Sequence, residues 1–409
     1  MKTHLSINGM TRDNFFTSEK VKVDLLEWLA HSYCFPKFYL KRGDKEVAAA
    51  GSLMTLGSAP KFDRENGSPM RFFGGQAFFP ESSPKDSVWG SFPRRIFFAP
   101  ELEMVKEDGK ITRFIHSLEK EPVLPKMHSG SFLRKLGSLP PPRHYPEEGQ
   151  WMELLKNLLR EIETEGLSKV VMARRSEFPH VGCDPFALAA ALKKAHETAS
   201  IFLVQFEPGA AFVGATPERL FTRAGGRIYS EAVAGTRPRG KDAIKDLELE
   251  RELMTSSKEQ HEFAFVKRSI EEALEGYVTS FDWRGKSGVV KTKVVQHLHQ
   301  CLEGALRFGS SDQQLIDALH PTAAMGGAPK SAALAYLRAH EPFERGWYAS
   351  PLGFTSHHFA EFVVGIRSAL VEEKRLSLFA GAGIVSGSDP RSEWSELNAK
   401  TQTVRSIIG

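Results

Sequence analysis

The chain has 409 residues and a net charge of +4, with lysines and arginines scattered among the acids and no basic tract, so nothing in it points to nucleic acid. Its three cysteines, Cys34, Cys183 and Cys301, are widely spaced and form neither a metal-ligand pattern nor a disulfide framework, which fits a reducing cytosol. No apolar run reaches the about 18 residues of a membrane-spanning helix, and the first residues lack the apolar core of a signal peptide, so a cytoplasmic protein with no membrane partner is expected.

Residues 1–120 read as β-rich. KVKVDLLEWLAHSY alternates and then turns helical, and RFFGGQAFFP, VWGSFPRRIFFAPELEMV and KITRFIHSL read as strands punctuated by Gly, Pro and charged turns. Phe72, Phe73, Phe78 and Phe79 are core candidates, and no catalytic constellation stands out here. Residues 121–149 are proline-rich and are predicted to be an extended linker to a C-terminal region, 150–409, with 1–120 belonging to the same structural unit.

In the C-terminal region, Trp151, Leu154, Leu155, Leu158, Leu159 and Ile162 recur at helical spacing, and Gly166 ends that helix. Lys169 opens the next strand, where a lysine is ordinarily solvated unless its neighbours bury it. PFALAAALKKAHETA reads as a helix, and IFLVQFEPG and AAFVGATPERLFTR as two strands across a Pro-Gly turn, with Glu218 in the turn-like ATPERL. RIYSEAVAGTRPRG is a strand entering a Gly-Thr loop, in which Gly235 and Thr236 offer donors suited to a carboxylate. Two helices follow, broken near Ser256-Ser257. Glu262 falls in line with Val266, Ser269 and Ala273, so an inward carboxylate needing a cationic partner or a metal is predicted. A strand or buried segment then carries His297, and a loop between two helices carries His320, Ala324 and Met325.

From Glu361 onward the reading is strand, turn, strand, glycine loop, helix. EFVVGIRSALV, with Arg367, reads as one strand and KRLSLFAGAGIV as its partner, with Gly381 and Gly383 allowing close approach. Asp389 is a cap for a helix beginning at Pro390 that places Glu393, Glu396 and Lys400 on one face. That β-branched Ile384 and Val385 continue the strand beyond the glycines argues against a dinucleotide loop and a nucleotide-binding oxidoreductase.

Ten motifs occur in order: SKVVMAR, GATPERLF, EAVAGTRPRG, KEQHEF, VQHL, HPTAAMGGAPK, GWYASPLGF, FVVGIRSA, GAGIVSGSDP and EWSELNAK. This pattern resembles the chorismate-utilising enzymes, which include isochorismate synthase, salicylate synthase and the large chains of anthranilate and aminodeoxychorismate synthases. The resemblance is dense over roughly residues 150–405. It implies an α+β chorismate-binding fold, two antiparallel sheets packed together with helices outside.

The chemistry it implies is a Mg²⁺-dependent isomerisation of chorismate. Water adds at C2, the C4 hydroxyl leaves and the ring double bonds shift, which needs a base, an acid and a cation at the C1 carboxylate. By resemblance, Lys169 is the water-activating base and Glu218 the general acid. Glu262 and Glu396 are direct metal ligands and Glu393 a ligand through water, an all-oxygen set that suits Mg²⁺. Gly235, Thr236 and His297 belong around the C1 carboxylate. Tyr348, Arg367, Gly381 and Gly383 hold the enolpyruvyl group, Lys400 balances the acids, and Ala324 faces the ring. The helix motif, usually Glu-His, is Glu262-Phe263 here, and Ser350 stands where glycine is common. Lys169, Ala324 and the lack of a fused glutaminase motif favour isochorismate synthase over salicylate synthase, an anthranilate synthase large chain or an inactive binding homologue. The absence of targeting signals and fused carrier domains favours menaquinone over siderophore or salicylate biosynthesis as the use of the product. A monomer without a glutaminase subunit is expected.

Overall fold

The computed structural model describes residues 2–7, 10–62, 70–82, 88–117, 139–164, 166–179, 182–291 and 295–408. Two antiparallel sheets, of thirteen and nine strands, carry these residues. They pack together, with Phe38 of the first sheet 5.3 Å from Phe73 of the second between ring centroids. The predicted α+β architecture of packed antiparallel sheets with helices outside is what forms.

Strand alternation assigns side chains to layers. In Ser200–Gln205, Phe202 and Val204 join the core shared by both sheets, while Ile201 and Leu203 point to the helices Leu25–His31 and Pro185–Ala195. With both faces covered, the strand is apolar from Ile201 to Val204, and each such fully buried side chain contributes roughly 1.5–3 kcal/mol. A third cluster lies between the second sheet and the helices Ala243–Thr255, Ser257–Leu274 and Asp312–Leu319. Phe72, Phe73 and Phe78 are buried as expected, and Phe79 is partly so.

Two predicted strands break, and the breaks locate the site. AAFVGATPERLFTR is two strands, Ala210–Thr216 in the first sheet and Arg219–Ala224 in the second. EFVVGIRSALV likewise divides into Phe359–Val364 in the second sheet and Ser368–Glu372 in the first. The chain thus crosses between sheets at Pro217-Glu218 and again at Gly365-Ile366-Arg367, where Arg367 adopts φ +53°. The two crossings are stitched together: Val364 N donates to Glu218 O at 3.0 Å, and Ala215 N donates to Arg367 O at 3.1 Å. Proline at the first corner cannot continue a ladder, and glycine at the second allows close packing, since an added Cβ at Gly365 would lie 2.9 Å from Trp347 O.

Other elements depart from expectation in smaller ways. Within the proline-rich stretch, Arg143–Tyr145 pairs with Lys169–Pro179 and a helix already begins at Glu148, while 121–138 lies outside the described residues. The strands Lys37–Arg42, Lys45–Ala50 and Val278–Lys291 were not anticipated. Ser256 separates the two central helices and caps the second, its Oγ accepting from Glu259 N. Asp389 caps Pro390–Ile408 as predicted, accepting from Ser392 N at 2.8 Å.

Candidate active site

Lys169 opens the strand Lys169–Pro179, which pairs along its length with Arg375–Val385 and, at its first two residues, with Gly327–Ala328. The side chain is nearly buried and crosses Gly383, where an added Cβ would lie 2.8 Å from Lys169 Cε. An added Cβ at Gly381 would meet the Tyr348 hydroxyl at 3.1 Å. These glycines therefore make room for a lysine and a tyrosine. Gly383→Ala should leave the fold intact, because the flexible lysine tip yields first, but it displaces the amine. A loss of about tenfold in turnover with an unchanged Tm is expected, since misplacing a reacting group by about 1 Å can cost up to a hundredfold. Wild-type turnover in this variant would show that the position of Lys169 is unimportant.

Lys169 Nζ donates to Glu262 Oε1 at 2.9 Å. The predicted inward stripe of that helix is displaced: Phe263, Val266, Ile270 and Leu274 form the buried face, Ser269 and Ala273 are partly buried, and Glu262 stands half-buried at its margin. Phe263 fills the core, and His261 is exposed.

Glu218 and Arg367 sit at the two sheet crossings. Glu218 accepts from Thr322 Oγ1 at 3.4 Å. Its carboxyl is pushed up to about 7, chiefly by burial and further by the charge of Glu231, against the opposing pull of Thr322, Lys169 and Lys400. Burial pushes the Arg367 guanidinium below its ordinary value, with Tyr348, Glu396 and Glu218 opposing, and burial pushes the Tyr348 phenol up. A partly desolvated guanidinium beside a buried phenol is a strong receptor for a carboxylate.

On the second sheet, the pairing of Arg227–Pro238 with Val295–Leu306 shifts register between Ala234 and Arg237, which lifts Gly235 and Thr236 out of the ladder. Gly235 has φ +64°, and an added Cβ would lie 2.7 Å from Glu259 Oε2. His297 Nδ1 stands 3.0 Å from Thr236 Oγ1 and 3.1 Å from Gly235 O, and burial holds the ring toward its neutral form.

The last helix turns its polar face back on the strand that precedes it. Lys400 Nζ donates to Gly381 O at 2.7 Å and pairs with Glu396 at 2.6 Å. Burial lowers the Lys400 ammonium, whereas burial and neighbouring Glu396 raise the Glu393 carboxyl. The carboxylates of Glu262, Glu393 and Glu396 are not gathered into one cluster. Glu262 and Glu396 each face a lysine. Among the described residues the metal-capable trio within 4.8 Å is Glu231, His299 and Cys301, where Glu231 already engages Arg42 and Arg219. The donor chemistry of Glu262, Glu393 and Glu396, all oxygen and all anionic, nonetheless fits a hard divalent cation once the lysines turn aside.

Ala324 is half-buried in the loop between Leu319 and Gly327, as expected. Sequence reasoning missed Thr322, which touches Glu218, and Glu231, which acts on it electrostatically. Thr322 lies inside HPTAAM and could have been singled out there. Glu231 is one charge on an alternating strand, with nothing local to mark it. Ser350 is accommodated by donating to Gly346 O at 3.2 Å.

A family model described as chorismate binding enzyme matches residues 52–409. The isochorismate synthase MenF of Escherichia coli is 30% identical over 401 residues, spanning 94% of this chain and 90% of the relative. A chloroplastic isochorismate synthase 2 of Arabidopsis thaliana is 43% identical over 262 residues, 63% of this chain. The chain spans 46% of the length of that plant relative and of a second one from Catharanthus roseus. Among solved structures, the menaquinone-specific isochorismate synthase MenF of Escherichia coli superposes with a TM-score of 0.85 at 26% identity, covering 100% of this chain and 96% of that one. Component I of anthranilate synthase from Streptococcus pneumoniae shares the fold, with a TM-score of 0.70 at 18% identity over 99% of this chain and 90% of that one.

Proposed function

The chain belongs to the chorismate-binding enzyme family, and from that premise we propose that it converts chorismate to isochorismate for menaquinone biosynthesis. The observation that carries this reading is an acid and a basic side chain set in one site: Glu218 stands at a sheet crossing against Thr322, and Lys169 crosses Gly383 near enough for its charge to bear on that carboxyl, which burial pushes up to about 7. A carboxyl with that value is substantially protonated near neutral pH and can donate to a leaving hydroxyl. Full-length relatives that are named isochorismate synthase support the choice of product.

In this proposal Lys169, once its ammonium has given up a proton to solvent, takes a proton as the neutral amine from the water whose oxygen bonds to C2. The ring double bonds shift, and Glu218 gives its proton to the C4 hydroxyl as that bond breaks. Thr236, His297 and the backbone at Gly235 surround the C1 carboxylate. Arg367, Tyr348 and the backbone at Gly381 and Gly383 hold the enolpyruvyl carboxylate, and Lys400 balances the nearby acids. Glu262 and Glu396 would hold Mg²⁺ directly and Glu393 through water; the bound ion neutralises substrate carboxylate charge and draws electron density from the ring. Were Glu262 to hold such an ion, Lys169 Nζ would lose the acceptor it now has at 2.9 Å and would be free to face water. No glutaminase chain and no second copy of this chain has a role.

The test is to incubate the protein with chorismate and Mg²⁺ and resolve the products by chromatography over time. Isochorismate with little salicylate or pyruvate is expected, with turnover lost in chelator and restored by added Mg²⁺. Stoichiometric salicylate and pyruvate would reassign the chain as a lyase, and full turnover in excess chelator would remove the metal from the reading.

A further inference from the structure

We propose that the buried pair Glu341–Arg345 is a positioning device for the base strand, standing in for a missing strand at its edge. This rests on the reading of Lys169 as the base. One edge of Lys169–Pro179 is paired at Lys169 and Val170 by Ala328 and Gly327, and again at Arg175–Glu177 by Tyr145–Arg143. Between these short partners the edge has a gap. Val171 N reaches Gly326 O at 3.0 Å, but among the described residues Val171 O and Ala173 N have no strand opposite them. Side chains fill the gap: Arg345 Nη2 donates to Val171 O at 2.5 Å, and Ala173 N donates to Glu341 Oε1 at 3.0 Å. Backbone groups at such a depth require partners, so these two side chains decide how the edge sits.

The same guanidinium reaches further. Its Nε and Nη2 grip both oxygens of Glu341 at 2.7 Å, Nη1 donates to Met325 O at 2.9 Å, and the Phe78 ring covers it at 4.3 Å. Met325 closes the loop that carries Thr322 and Ala324, and Tyr348 N donates to Arg345 O at 2.9 Å. One side chain, in a residue 2% exposed, thus joins the strand of Lys169 to the loop under Glu218, and the backbone carbonyl of the same residue holds the root of Tyr348. A buried ion pair is a poor source of stability, because desolvation offsets its attraction, so its use here points to geometry. Lysine cannot reproduce the fork, since a point charge cannot serve the carboxylate and two carbonyls in fixed directions.

The experiment compares Arg345→Lys and Glu341→Gln with Leu203→Ala, a fully buried residue of the opposite core cluster, at a temperature where all are folded. Loss of kcat by about tenfold to a hundredfold is expected for the first two, with KM changed by less than about threefold, because neither side chain touches substrate. Amide exchange at Val171, Ala173 and neighbours of Met325 should rise selectively, and Leu203→Ala should keep its kcat at a matched Tm loss. Wild-type kcat in both pair variants, or an equal kcat loss in Leu203→Ala, would overturn the proposal. If the wild type does not turn over chorismate, the functional reading falls. The exchange pattern then decides alone, and a uniform rise across the chain would overturn the positioning role.

Discussion

Lys169→Ala is expected to lower kcat for chorismate isomerisation by about 10²–10⁴-fold, the usual contribution of a positioned base, while leaving substrate affinity close to wild type. The fold should tolerate the change. Glu262, which loses its ammonium partner, keeps 38% of its side chain exposed, so water replaces the lost contact. The alanine also vacates the space over Gly383, because the lysine chain filled the contact that an added Cβ there would meet. Small primary amines supplied in the buffer should therefore restore part of the rate, in proportion to their free-base concentration. The checks are kcat by chromatography, chorismate binding by calorimetry, and the slope of rate against added amine. Wild-type kcat in the variant would make Lys169 a structural ion-pair partner of Glu262 and no more.

What the sequence made legible, and what it did not, divides along physical lines. Signals carried by neighbouring residues read well. The helix from Glu148 follows the Trp151–Ile162 periodicity, and Asp389-Pro390 starts the last helix where a cap followed by a first-turn proline should. Signals that depend on distant partners did not. The strand Val278–Lys291 is an edge strand with mostly exposed side chains, so its composition, VTSFDWRGKSGVVK, shows no apolar alternation. EFVVGIRSALV is β-branched on both sides of Gly365, and nothing local says that its halves belong to different sheets; the pairing of Glu218 O with Val364 N decides that. The resemblance named Glu218 and Arg367 individually. Only the fold shows that both stand at sheet crossings, which is why a carboxyl and a guanidinium distant in sequence share one buried environment. Arg345 and Glu341 carried no signal because their hydrogen-bond partners, Val171 O and Ala173 N, lie some 170 residues upstream, on the Lys169 strand.

Glu218→Gln should abolish isomerisation in both directions, a loss of about 10²–10⁴-fold, because the amide keeps the volume and can still accept from Thr322 but has no proton to give. The accompanying pH profile fixes the sign. Burial and Glu231 hold the Glu218 carboxyl at about 7, against an ordinary value of 4.5, and catalysis uses the protonated form. Wild-type kcat/KM should therefore fall as pH rises through about 7, about tenfold per unit beyond it, on the limb that reports this acid in the free enzyme. Stability follows the same direction. A carboxyl whose value is raised on folding contributes stability that is fully present below about 4.5, where folded and unfolded forms are both protonated, and that is lost as pH rises through about 7. Glutamine has no such titration. The Tm of Glu218→Gln relative to wild type should climb between about pH 4.5 and about pH 7, the range set by those two values, and level off outside it. This second readout does not depend on substrate at all. A variant with retained turnover would remove Glu218 as the acid, and a Tm difference that stays flat with pH would place its carboxyl in the ordinary range, where it is ionised at neutral pH and has no proton to deliver.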